Sequence, residues 1–163
     1  MLTIENQNVF GKLQNRMSEL KIFIETKAPI IIGKEAVEYF KENFQTESWE
    51  GTRWPEVQRR MPTINRNGKT IKNYSKGAAQ SRKILTGTTG NLGRSIQYKF
   101  TTKEVTIFSD WKYAEVHNFG LRAGRGAGFI MPQRRFIGES DKLTNRIVAK
   151  LETHTRTILK SKS

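Results

Sequence analysis

Apolar residues recur at helical spacing at both ends of this chain and at strand spacing in one short stretch between them, which limits the folds open to it. Phe10, Leu13, Met17, Leu20 and Ile24 lie three or four apart, with Gln14, Asn15, Lys21 and Glu25 on the other side. That spacing predicts an amphipathic helix over residues 8–26, with Gly11 weakening its first turn. Pro29 then either opens a second helix at its first-turn position or kinks a continuing one. Ile30, Gly33, Val37, Phe40 and Phe44 carry the spacing onward. The N-terminal quarter therefore reads as a helical hairpin or a bent helix, its apolar stripes serving as core or subunit contact. At the other end Ser140 suits the N-cap of a helix in which Leu143, Ile147, Leu151, His154 and Ile158 share a face.

Between these helices the period changes. Ile96, Tyr98 and Phe100 alternate with Gln97 and Lys99, and Val105 and Ile107 flank Thr106, which predicts a β-hairpin. A short helix is expected over residues 111–118, stopped by Gly120. Residues 129–131 form a candidate additional strand, closed at an edge by Pro132. Two segments lack periodicity: residues 45–83, punctuated by Gly51, Pro55, Pro62, Gly68 and Gly77, and the Gly, Ala and Arg stretch 121–128. Loops of the first length inside a compact domain are functional or order against a partner. The expected class is α+β: an N-terminal helical hairpin, a small antiparallel sheet made of the hairpin plus an additional strand, a C-terminal helix and long basic loops. The 163 residues are expected to form a single domain.

Charge is concentrated in two loop-rich segments. The chain has 29 Lys and Arg against 15 Asp and Glu, a formal charge of +14. Residues 53–99 hold eleven bases and one acid, Glu56, and residues 122–135 hold four bases and no acid, so these segments carry the whole excess. Such a field suits phosphate or an acidic protein face, and a solvated basic loop is the plainer alternative. No apolar run approaches the ~20 residues of a membrane span. The first ten residues lack a basic n-region, so no secretory signal and no membrane partner are expected. Zero Cys excludes disulfides, thiol catalysis and Cys-based zinc sites, and two distant His leave little for a metal.

Catalytic constellations are not expected. Ser109, Asp110 and His117 are the residue types of a triad, but their crowding along the chain leaves no positioned nucleophile or base. The run from Gly87 to Arg94 is one residue too long for a phosphate loop, has Arg94 where Lys is required, and leads into a strand. The segment from Gly124 to Gly128 has no strand before it and Pro132 after it, which fails the dinucleotide pattern. No catalytic, cofactor or metal residue is assigned.

Three segments together resemble a known family. Leu85, Thr89, Gly90, Leu92, Ser95 and Ile96 resemble the Leu, Thr or Ser with Gly, Leu, Ser-Ile signature of phage virion morphogenesis and tail-completion proteins. The run from Tyr113 through Ala114 and His117 to Gly120 is similar to that family's segment after the hairpin. The run from Met131 and Pro132 through Phe136 to Gly138 looks like its Ile-Pro-Ala-Arg-Pro-Phe-Leu-Gly stretch, with Arg135 where the family usually has Pro. Phe44, Trp49, Gly51, Trp54 and Pro55 resemble its aromatic region. The resemblance implies a non-enzymatic virion protein of a tailed phage or prophage, assembled in the host cytoplasm and located at the tail or neck. It would act as a homo-oligomeric ring, with six copies expected. Its other partners would be a tail tube or tail terminator protein, neck or connector proteins, and packaged DNA in the lumen. The basic residues Arg53, Arg59, Arg60, Arg66, Lys69, Lys72, Arg122, Arg125, Arg134 and Arg135 are the expected partner- or DNA-docking set. Trp49, Trp54, Trp111 and Phe136 are the expected interface anchors. The alternative is a free basic nucleic-acid-binding protein in which Tyr74, Trp49 and Trp54 stack bases.

Overall fold

The computed structural model describes residues 4–71 and 77–160; Lys72, Tyr74 and Lys76 lie outside the described residues. In chain order the elements are α1 (Ile4–Ile22), a π-helical turn (Phe23–Lys27), α2 (Ala28–Thr46), β1 (Ser48–Trp49), β2 (Thr52–Arg53), a 3-10 turn (Gln58–Arg60), β3 (Thr63–Ile64), β4 (Thr70–Ile71), α3 (Ala78–Ser81), α4 (Asn91–Arg94), β5 (Ile96–Phe100), β6 (Val105–Ser109), α5 (Tyr113–Phe119), β7 (Arg122–Ala123), β8 (Phe129–Ile130) and α6 (Asp141–Lys160). The α+β class expected from the periodicities is the class observed. Two compact units share these elements, Met1–Val37 with Tyr98–Ile107 and Ser140–Ser163, and Glu38–Gln97 with Phe108–Glu139. Their boundaries fall within α2, within the β5–β6 hairpin and in the segment before α6.

In the first unit the backbone stays helical through Pro29, and a π turn instead of a loop joins α1 to α2. Pro29 has no N–H, and its ring would strike the carbonyl of Glu25 in an unbroken α-helix. The π turn relieves this: the N–H of Ala28 reaches back five residues to the Phe23 carbonyl. Phe23 is buried and meets His154 of α6 at 5.7 Å between ring centres. Gly33 faces Tyr98 so closely that an added Cβ would lie 2.1 Å from the ring. Ser140 caps α6 as expected, its hydroxyl accepting the Leu143 N–H at 3.1 Å. Glu35, 1% exposed, takes an N–H from Arg146 at 2.6 Å and another bond from Lys150, one turn further along α6. Burial pushes its carboxyl up, but the bonds from Lys150 and Arg146 outweigh that and hold it below its ordinary range.

The second unit is built around aromatic rings. Phe44 of α2 packs on Phe136 at 5.1 Å and edge-on to Trp54 at 5.6 Å, and the Trp54 Nε1–H donates to the Arg135 carbonyl at 2.8 Å. Ile84, Leu92 and Ile96 are buried with them. Full burial of a ring such as Phe136 contributes about 1.5–3 kcal/mol. The residues 45–83 expected as a long loop contain two ribbons, the 3-10 turn and α3. In the first ribbon Ser48 pairs with Arg53 and Trp49 with Thr52. Its two turn residues, Glu50 and Gly51, both have positive φ, 51° and 86°, the signs that a tight two-residue hairpin turn requires. In the second, Asn65 anchors the turn by accepting the N–H of Asn67 and of Lys69.

The predicted hairpin is β5–β6, and Gly120 ends α5 in the left-handed conformation, as expected. The additional strand differs in its pairing. Phe129–Ile130 pairs with Arg122–Ala123, so it makes a separate ribbon and does not extend the hairpin. The cause is the Gly-rich stretch between: Gly124, Gly126 and Gly128 all have positive φ, which folds the chain back on itself within a few residues.

Candidate functional site

The ten basic residues expected to dock a partner fall into two sets. Arg53, Arg66, Lys69, Arg122 and Arg125 are exposed. Arg122 and Arg125 belong to the β7–β8 ribbon, and the Arg122 guanidinium donates to the Ala127 carbonyl at 2.5 Å. Phe119, Leu121, Phe129 and Ile130 are exposed in the same part of the chain, each by 45% or more. The second unit thus presents cations interleaved with large apolar side chains.

Arg59, Arg60, Arg134 and Arg135 are engaged within the fold. Arg60 makes a two-pronged ion pair with Glu47, at 2.7 and 2.9 Å, and also donates to the Arg82 carbonyl. Glu47, buried at the end of α2, accepts the Ile84 N–H at 2.7 Å as well. The bond from Arg60 above all, helped by that N–H, lowers the Glu47 pKa to about 2. Arg59 donates to the carbonyls of Ala79, Arg82 and Lys83. Arg134, 5% exposed, donates to those of Pro55 and Glu56 at 2.9 and 3.1 Å. Together these guanidiniums hold residues 55–60 and 79–84 in place. Arg135 lies over the Trp49 ring at 4.9 Å, and an added Cβ on Gly138 would strike its guanidinium. Lys72 lies outside the described residues.

Of the four aromatic anchors, Trp54 and Phe136 are core residues with no face toward solvent. Trp49 is half-buried, stacked on Phe40 at 6.1 Å and covered by Arg135. Trp111 is 41% exposed and rests on Tyr113 at 5.3 Å. Neither Trp49 nor Trp54 offers a free ring face for base stacking.

One residue that organises this unit escaped the sequence reading. Asn118, buried near the end of α5, accepts the N–H groups of Phe136 and Ile137 at 2.8 and 3.0 Å and donates to the Ile137 carbonyl at 3.0 Å. With the Arg134 N–H bonded to the His117 carbonyl, it ties α5 to residues 133–137. The only sequence signal was an amide beside the Gly120 helix stop.

Ser109, Asp110 and His117 do not assemble. Ser109 shares a hydrogen bond with Ser95 at 2.6 Å, and Asp110 accepts from Gln97 at 2.8 Å. The His117 Nδ1 is buried without a partner. Burial, and then the charge of Arg134, lower its pKa. Among the described residues, no group of three His, Asp or Glu is placed to hold a metal ion, and no helix is long and apolar enough to cross a membrane.

No curated protein and no solved structure matches the chain. The phage virion morphogenesis family model matches residues 5–156, covering the motif segments, the aromatic core and the helices at both ends. The chain therefore belongs to the phage virion morphogenesis family, whose members are structural and assembly proteins of the virion.

Proposed function

We propose that this protein is a ring subunit, in six copies, that completes a phage tail and joins it to the head or connector. In this reading Arg122 and Arg125, with Arg53, Arg66 and Lys69, dock onto an acidic face of a tail terminator, tail tube or neck protein. The observation that carries it is the β7–β8 ribbon, where exposed Arg122 pairs with exposed Ile130, and exposed Arg125 and Phe129 lie in the same ribbon. A surface of that kind binds protein better than it guides DNA, because apolar side chains add nothing at a phosphate backbone. A conduit for DNA also works against a strong grip on phosphate.

The ring contact is assigned to α1. Val9, Phe10, Leu13 and Met17 of α1, which is about 28 Å long, and Ile24 of the π turn that follows it are each more than half exposed. Together they offer on the order of 500 Å² of apolar surface, a large part of the ~800 Å² per partner of a stable interface. A second copy of the chain is the occupant this face fits, since a closed ring needs a contact repeated by every subunit.

The test is particle assembly with Arg122→Glu/Arg125→Glu. The expected result is tails and filled heads that fail to join. Joined particles that release DNA early would overturn docking and place the arginines against DNA.

A further inference from the structure

A cleft of about 380 Å³ in the second unit is lined by Arg59, Arg134, His117, Thr86 and Thr89, with Val57, Leu85, Leu92, Tyr113 and Met131 as its apolar walls. Its two cations are unusual in two ways, and a third polar group beside them is unpaired. Arg134 is 95% removed from solvent and Arg59 is half-buried, yet neither has a carboxylate at ion-pair distance among the described residues. By contrast, the neighbouring Arg60 has Glu47. Each guanidinium is fixed by carbonyls through Nε and Nη2 only, so Nη1 of both has no protein acceptor among the described residues. The His117 Nδ1, buried in the same cleft, is unpartnered too.

Bringing desolvated like charges together is unfavourable. Burial, and then nearby arginines, lower the Arg59 pKa, and Arg134 is lowered by burial and by Arg59, with exposed Glu56 acting the other way. Two such cations and an open imidazole nitrogen lining one cleft form a site suited to an oxyanion.

We propose that this cleft is a receptor for a glutamate or aspartate side chain of a partner virion protein, its carboxylate bound by Arg59, Arg134 and His117. A carboxylate suits it better than a duplex phosphate for two reasons. The cavity is too small for a DNA backbone with its flanking sugars. Its apolar walls, Leu85, Leu92 and Met131, match the methylenes of an acidic side chain. The identity of the partner rests on the docking reading above. The test is independent of particle assembly, so failure of one does not entail failure of the other.

The probe is a fluorescein-labelled poly-glutamate peptide, titrated by anisotropy with full-length protein at about 0.15 M salt. Inorganic phosphate, free glutamate and a short duplex DNA are the competing ligands. Arg59→Gln is expected to weaken peptide binding about tenfold or more, the loss of one charge-assisted bond. Because Arg59 also holds carbonyls, the second variant is Thr89→Glu, on the exposed rim. It supplies an internal carboxylate, so it should block the peptide and raise the melting temperature together, whereas Thr101→Glu on the hairpin tip should do neither. Undetectable peptide binding overturns the proposal, as does equal affinity in wild type and both cleft variants. Displacement of the peptide by inorganic phosphate at lower concentration than by free glutamate, or loss of duplex binding in Thr89→Glu with peptide binding intact, assigns the cleft to phosphate and overturns it as well.

Discussion

Replacing Glu47 by Gln should remove the strongest polar clasp in the second unit while keeping the side chain's volume. The carboxylate takes two N–H groups from Arg60, at 2.7 and 2.9 Å, and the Ile84 N–H at 2.7 Å, in a position that solvent scarcely reaches. Its pKa falls from an ordinary 4.5 to about 2, which corresponds to about 3 kcal/mol of stability at neutral pH. Breaking one side of a buried ion pair independently costs about 3–5 kcal/mol. The lower figure applies, because Arg60 retains the Arg82 carbonyl and Glu56. A depressed carboxylate pKa adds stability that is complete above the unfolded value and disappears as pH falls through the folded one. Urea unfolding should therefore find Glu47→Gln about 3 kcal/mol less stable than wild type at pH 7, the gap shrinking below about 1 kcal/mol near pH 2. Taking the difference at each pH cancels the other carboxylates, including Glu35. A gap that stays constant from pH 7 to pH 2, or one under about 1 kcal/mol at pH 7, would refute the reasoning.

Two further substitutions probe the packing. Gly33→Ala improves helix propensity by about 1 kcal/mol, but its Cβ would lie 2.1 Å from the Tyr98 ring, so a net loss of about 1–2 kcal/mol is expected in thermal melts. An unchanged or higher melting temperature would mean the ring moves freely. Asn118→Ala leaves the N–H groups of Phe136 and Ile137 without their acceptor, and should cost about 2–4 kcal/mol in denaturant. Asn118→Asp keeps that acceptor but sets its second oxygen against the Ile137 carbonyl, so it should recover only part of the loss, and full recovery would show that the bond to Ile137 contributes nothing.

What was legible in the sequence was what is encoded locally. Ser140, Gly120 and the alternation of Ile96, Tyr98 and Phe100 act within a few residues of themselves, so the helix cap, the helix stop and the hairpin appear where the pattern puts them. The residues 45–83 look featureless because their order comes from elsewhere. Arg59, Arg60 and Arg134 reach backbone carbonyls 20 to 79 positions away, and no periodicity records such a bond. Glu35 was hidden for a related reason. It looks like a solvent-side acid of α2, and only Arg146 and Lys150, one turn apart on a helix more than a hundred residues later, make its burial tolerable. The candidate site was legible as a region, since the basic segments and the motif segments coincide there, but not as individual roles.

The division among the arginines changes what the net charge of +14 means. A guanidinium has five donors, so it can tie several carbonyls and remain charged, which a lysine point charge does less well. In this chain three of the ten basic positions act first as such ties, Arg59, Arg60 and Arg134, while Arg135 is held over the Trp49 ring. Only Arg60 is neutralised by a direct carboxylate partner among these four. The positive field around residues 53–99 therefore persists after folding, while the donors that produce part of it are committed to backbone. In the docking proposed above, long-range attraction to an acidic partner would draw on the whole field and short-range contact on fewer residues. The field draws on every cation left unneutralised, whereas in that proposed docking contact falls to Arg53, Arg66, Lys69, Arg122 and Arg125 at the surface and to Arg59 and Arg134 in the cleft. Charge reversal at Arg122 and Arg125 consequently tests contact with little cost to the fold, whereas reversal at Arg134 would disturb the fold and the cleft together.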